Sequence, residues 1–141
     1  MDLEEQVLSV QQINHLKELG VEVKDTALTW VKLNRDRYGN FNENAKWKIE
    51  VNPYYYYVLQ AAEFVPTLTL QEVLEMLPDP ITVLGIEYQL VEYKSVELGD
   101  FSVDYVSTTD HSVESIQGKT RLEAAYKMLC WVAKNNYLMK S

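Results

Sequence analysis

The apolar positions of this chain alternate between a helical period and a strand period, and that alternation predicts its elements. Val10, Ile13, Leu16 and Leu19 recur at helical spacing and predict a helix over about Val10–Leu19. Gly20 follows where a C-terminal cap favours a residue free to take positive φ. Ala27–Leu33 predicts a first strand, with Leu28 and Trp30 on one face and Val31 and Leu33 on the other. Asn34–Asn44, rich in Asn, Asp, Arg and Gly, reads as a hairpin loop. Lys46–Val51 then alternates with period two. Trp47, Ile49 and Val51 point one way, and Lys46, Lys48 and Glu50 the other, as in a half-buried antiparallel strand. Asn52-Pro53 breaks it. The run Tyr54-Tyr55-Tyr56-Tyr57-Val58-Leu59 has strong β propensity and suits either a further strand or an irregular aromatic segment.

A short second helix is predicted over Leu70–Leu77, ending before Pro78-Asp79-Pro80. A third strand begins near Ile81, and in it Ile86, Tyr88 and Leu90 alternate against Glu87, Gln89 and Val91. Ser95–Asp100 supplies a turn with Gly99. Phe101–Val106 is the fourth strand, with Phe101, Val103 and Tyr105 inward and Ser102 and Asp104 outward. Ser107–Gly118 is polar and reads as a loop. The last helix, about Arg121–Asn135, is apolar around most of its circumference, so it must be largely covered. It is read as the central helix, lying across the sheet.

All three helices start in the same local code. Ser9 precedes Gln12, Thr69 precedes Glu72 and Thr120 precedes Glu123, each at the spacing of a capping box. The order helix–strand–strand, helix–strand–strand, helix predicts one α+β domain over residues 1–141. Its architecture is expected to be two-layered: a mainly antiparallel sheet of four or five strands with three helices. The doubled unit raises the idea of an internal duplication. Trp47, Ile49, Leu122, Leu129 and Val132 are the expected core.

Composition adds limits rather than an activity. The chain has 141 residues, ample for a sizeable core. No apolar run approaches the roughly 20 residues of a membrane span, and Met1-Asp2-Leu3-Glu4-Glu5 is acidic where a signal peptide would be basic. A cytoplasmic location is expected. The net charge of −8 is uneven: residues 50–115 hold twelve acids and only Lys94, whereas residues 24–48 hold six bases and three acids. That balance argues against direct nucleic-acid binding, which needs clustered Lys and Arg. The acidic middle reads either as a solubilising surface or as a face for a basic partner, with Glu87 and Asp104 on its solvent side.

Candidate chemistry is sparse. Cys130 is the only cysteine, so no internal disulfide forms. It lies among apolar residues of the last helix, where a thiol is ordinary packing rather than half of a nucleophile pair with His15 or His111. Asp110-His111 sits in a polar loop with no fixed nucleophile. Two histidines in unrelated elements do not make a zinc site. Glu87, Glu92, Asp104, Asp110 and Glu114 leave a carboxylate-based enzyme as a lesser alternative. No catalytic residue, metal site or cofactor is therefore expected. The four tyrosines stand out more. A strand sends alternate side chains to opposite faces, so two of Tyr54, Tyr55, Tyr56 and Tyr57 are expected to stay exposed as a contact patch or to be covered by a second copy.

The stretch Val65-Pro66-Thr67-Leu68-Thr69-Leu70-Gln71-Glu72-Val73-Leu74-Glu75-Met76-Leu77-Pro78, the stretch Leu122–Trp131 with Asn136-Tyr137, and the opening Leu8–Gln12 with Leu16–Gly20 and Trp30 carry a resemblance. Together they resemble an uncharacterised family of small proteins found in prophages and mobile elements of gut bacteria. The resemblance implies no activity, cofactor or catalytic residue. It implies an accessory protein of the kind that is more often a binder or inhibitor than an enzyme. Taken with the acidic middle and the tyrosine run, the expected function is a non-enzymatic module that binds a protein partner or itself, with an acidic inhibitor or nucleic-acid mimic of a host enzyme as the alternative.

Overall fold

The computed structural model describes residues 2–35, 38–51, 62–95 and 99–138. The chain is α+β and divides into two compact units, residues 1–69 and 70–141. Tyr54–Tyr57 lie outside the described residues, so the expectation placed on them does too.

In the first unit, α1 spans Val10–Glu18. Its start is the reciprocal cap written in the sequence: Gln12 N–H donates to Ser9 Oγ at 3.1 Å and Ser9 N–H to Gln12 Oε1 at 2.9 Å. Its end is a Schellman turn. Gly20 takes φ +87°, and Val21 N–H donates to the Leu16 carbonyl. Strands β1 (Leu28–Leu33), β2 (Lys48–Glu50) and β3 (Ala62–Thr67) form an antiparallel sheet in the order β2-β1-β3. The Leu8 carbonyl ties the segment before α1 to this sheet, accepting from Trp30 Nε1 at 2.8 Å and Thr67 Oγ1 at 2.6 Å. Val7, Leu28 and Trp30 make the buried cluster, with Trp47, Ile49 and Val65 partly buried against it.

The second unit begins with α2 (Leu70–Met76). Strands β4 (Ile81–Val83), β5 (Ile86–Lys94), β6 (Phe101–Val106) and β7 (Ser112–Gly118) follow as an antiparallel meander in that order. The closing helix α3 (Arg121–Lys134) packs on β6, β7 and α2. It buries Ala124, Ala125, Met128, Leu129, Cys130, Val132 and Ala133, as its apolar circumference demands. Tyr105 is buried beneath it, and the Tyr105 hydroxyl donates to the Pro78 carbonyl at 2.7 Å. Gly118 ends β7 where α3 begins. A Cβ there would lie 2.6 Å from the Ala124 backbone nitrogen, so only glycine lets strand and helix approach this closely.

Several expectations are corrected. The strands make two sheets, of three and four strands, rather than one of four or five. The segment starting at Ile81 is a hairpin, not one strand. Leu84 (φ 50°) and Gly85 (φ 80°) form its two-residue turn, which needs positive φ at both positions. A leucine gives no sequence hint of that. Ser112–Gly118 is a strand rather than loop: β6 supplies its partner along most of its length, with a register shift at Tyr105/Val106. Its apolar residues, Val113 and Ile116, lack period two, so the pairing comes from tertiary context. The expected common core falls in two places. Trp47 and Ile49 lie half-buried in the first unit, while Leu129 and Val132 are fully buried and Leu122 half-buried in the second. The halves also differ in topology among the described residues. The first strand after α1 is central in its sheet, and the first after α2 is at an edge. The doubled helix–strand–strand pattern therefore does not extend to strand order.

The start of α3 offers a measurable test of the capping argument. Glu123 N–H donates to Thr120 Oγ1 at 3.0 Å, and Glu123 Oε2 accepts from Lys119 N–H at 2.9 Å. The Lys119 N–H, and then Lys127, hold the Glu123 carboxyl below its ordinary pKa. Thr120→Ala leaves a first-turn N–H without its acceptor and is expected to lower stability by about 1 kcal/mol. Denaturant midpoints of the two proteins measure it, and coincident curves would remove the cap from the account.

Candidate functional site

The face of the four-stranded sheet turned away from Val103 and Tyr105 holds the most organised polar group among the described residues. Alternation sends Ser102 and Asp104 of β6 to this face, with Gln89, Val91 and Tyr93 of β5 and Ser115 and Gln117 of β7 beside them. Register does the rest. Val91 and Ser115 flank Asp104 on its two neighbouring strands, while Tyr93 and Gln117 flank Ser102.

Three hydroxyls converge on Asp104. Ser102 Oγ donates to Oδ1 at 2.7 Å, Ser115 Oγ donates to Oδ1 at 2.9 Å, and the Tyr93 hydroxyl donates to Oδ2 at 3.0 Å. Asp104 is 4% exposed. A buried charge is tolerated only when hydrogen-bonded in this way. Asp104 thus lies on the sheet face that its sequence position predicts, but it is buried rather than solvent-facing. Two of the three hydroxyls, those of Tyr93 and Ser115, sit 11 residues away on either side in the chain, and strand pairing alone brings them there. It is withdrawn from any acidic surface that would attract a basic partner. Glu87 shares the face and is exposed.

Beside this buried carboxylate, β5 contributes one apolar and one aromatic side chain to a face otherwise lined by the exposed Gln89, Ser115 and Gln117. Val91 is 41% exposed and Tyr93 47%. The Tyr93 ring faces solvent while its hydroxyl is tethered inward, so the ring is held in place. This pair carried no signal in the sequence beyond its alternation in β5.

The other acids are not gathered with Asp104. Glu92 pairs with Arg121 at 3.3 Å, Glu114 accepts from the Ser115 N–H, and Asp110 sits in the β6–β7 turn at φ 60°. His111 lies in that same turn, where its N–H donates to Ser107 Oγ, and His15 lies in α1, 3.8 Å from Glu18. The Cys130 thiol is buried, and burial pushes its pKa up against the opposing pull of the Tyr126 hydroxyl and Lys134. That environment disfavours the thiolate a nucleophile needs. Among the described residues no group of three or more His, Cys, Asp or Glu side chains is placed to hold a metal ion, and no helix is long and apolar enough to cross a membrane. No protein-family model, curated protein or solved structure matches the chain.

Proposed function

We propose that the chain is a non-enzymatic binding module that engages a protein partner through the outer face of its four-stranded sheet, in keeping with an accessory role in a mobile element. One observation carries this reading: Tyr93 presents a half-exposed ring whose hydroxyl is anchored on buried Asp104. Binding normally costs the freedom of each side chain it immobilises. Here the fold has already fixed the aromatic, and Val91 widens the apolar contact beside it. Tyrosine in such a setting is the residue type that dominates protein interfaces. Glu87 supplies an exposed acid on the same face.

The test is a quantitative capture experiment with paired baits. Val91→Ser/Tyr93→Ser is expected to lose the partner that the unaltered chain retains. Leu84→Ser, at an exposed hairpin tip outside this face, is expected to keep it. A partner retained equally by all three baits would move the binding surface elsewhere.

A further inference from the structure

The four-stranded sheet leaves part of β5 open on one side. β4 covers only Ile86–Tyr88, whereas β6 covers Gln89–Lys94 from the other side. In an antiparallel strand the N–H and C=O of one residue point to one neighbour and those of the next residue to the other. Ile86 closes the turn onto Val83 of β4, so Tyr88, Leu90, Glu92 and Lys94 aim their backbone groups the same way. Asp79 Oδ1 takes the Leu90 N–H at 3.1 Å. Beyond it, among the described residues, no strand pairs with Glu92 and Lys94 on that side, and both are exposed.

The geometry points to antiparallel pairing of this edge with the same edge of a second copy, about a twofold axis through Tyr93. The claim rests on the reading of Tyr93 as a partner-contact residue and names a second copy as its occupant. Open strand edges recruit further strands by their main-chain groups, and the register follows from the side chains. With the axis at Tyr93, Glu92 of each copy stands opposite Lys94 of the other. Those residues carry the free backbone groups, so two hydrogen-bonded residue pairs form. Each is also a pairing of opposite charges, repeated by symmetry. Tyr93 meets its own symmetry mate at the intervening position, where side chains approach most closely. Shifting the axis to Glu92 would set Glu92 against Glu92 and would require the Leu90 N–H that Asp79 already holds. Lys94 is the sole base among residues 50–115, and it falls where the self-pairing strand needs a cation.

A contact of this size gives a weak, concentration-dependent dimer, so sedimentation equilibrium of the full chain over a range of concentrations is the suitable measurement. The unaltered chain is expected to interconvert between monomer and dimer. Lys94→Glu turns two attractions into two repulsions and is expected to raise the dimer Kd by roughly tenfold or more. Combining it with Glu92→Lys restores opposite charges across the edge, although it gives up the Glu92–Arg121 ion pair within each copy, and is expected to bring the dimer back in part. Glu92→Pro removes the outward N–H, a change an open edge tolerates, and is expected to give monomer with an unchanged near-ultraviolet spectrum. A chain that is monomeric throughout, or a dimer indifferent to both Lys94→Glu and Glu92→Pro, overturns the proposal. In the first case the paired-bait experiment still decides separately whether the outer face binds another protein.

Discussion

Leu129→Ala is expected to lower the unfolding free energy of the second unit by about 2–5 kcal/mol. Leu129 is fully buried in the middle of α3, between Ala125 and Val132 on the same helix face. Below it are β6 and β7, and α2 packs against the same helix. Removing one methine and two methyl carbons forfeits their transfer energy and opens a cavity. How far the site can collapse sets where in that range the cost falls. Collapse is restricted here: Tyr105 is pinned through its hydroxyl to the Pro78 carbonyl, and Gly118 already brings β7 against the α3 backbone. The upper half of the range is therefore expected. Leu129→Met, which conserves volume, is expected to cost under about 1.5 kcal/mol. Urea titration gives the magnitudes, and hydrogen exchange of the α3 amides assigns them to residues 70–141. A Leu129→Ala protein that melts like the unaltered chain would show that α3 is not the centre of its unit.

What could be read from the sequence was mostly local. The helix starts at Ser9 and Thr120 are set by side chains three residues from the N–H groups they cap, and the Gly20 stop lies within one turn of its helix. Strands with clean period two, such as Phe101–Val106, were also legible, because alternation needs no knowledge of the partner. The unread features all depend on pairing across distance. β7 looks polar and aperiodic until β6 is laid beside it. The division into two sheets depends on which strands meet, and no single strand encodes that. The Leu84-Gly85 turn puts a leucine at positive φ, which hairpin closure imposes against local preference. Asp104 is the sharpest case. Its face was readable from alternation, but its burial required knowing that Tyr93 and Ser115 would lie on the flanking strands. A carboxylate in a strand reads as a solvating group unless the hydroxyls that cover it are known.

Asp104→Ala is expected to destabilise the second unit by about 2–4 kcal/mol, although it removes a single charged side chain from a sheet face. Hydrogen bonds to an ionised acceptor contribute more than neutral ones, about 1.5–3 kcal/mol each in net terms, but the three lost here are not equivalent. Ser115 and Tyr93 lie where water can replace the carboxylate, which reduces their share. Ser102 is buried, so its hydroxyl is left without a partner, and an unsatisfied buried donor costs about 1–3 kcal/mol. Relief of the buried charge offsets part of the total. Tyr93→Phe breaks only the 3.0 Å bond to Oδ2 and is expected to cost about 1 kcal/mol. Asp104→Asn keeps an oxygen acceptor, and serine hydroxyls can turn to accept from its amide, so it should fall between the two. The order Ala, then Asn, then Tyr93→Phe, in decreasing loss of urea stability, is the signature of a carboxylate that fastens three strand side chains together. The same substitutions probe binding. Asp104→Ala and Tyr93→Phe both free the Tyr93 ring without removing it, so both should weaken partner capture by the unlocking alone. Full stability in Asp104→Ala would mean that the three hydroxyls do not depend on the carboxylate, and the anchored aromatic would lose its basis.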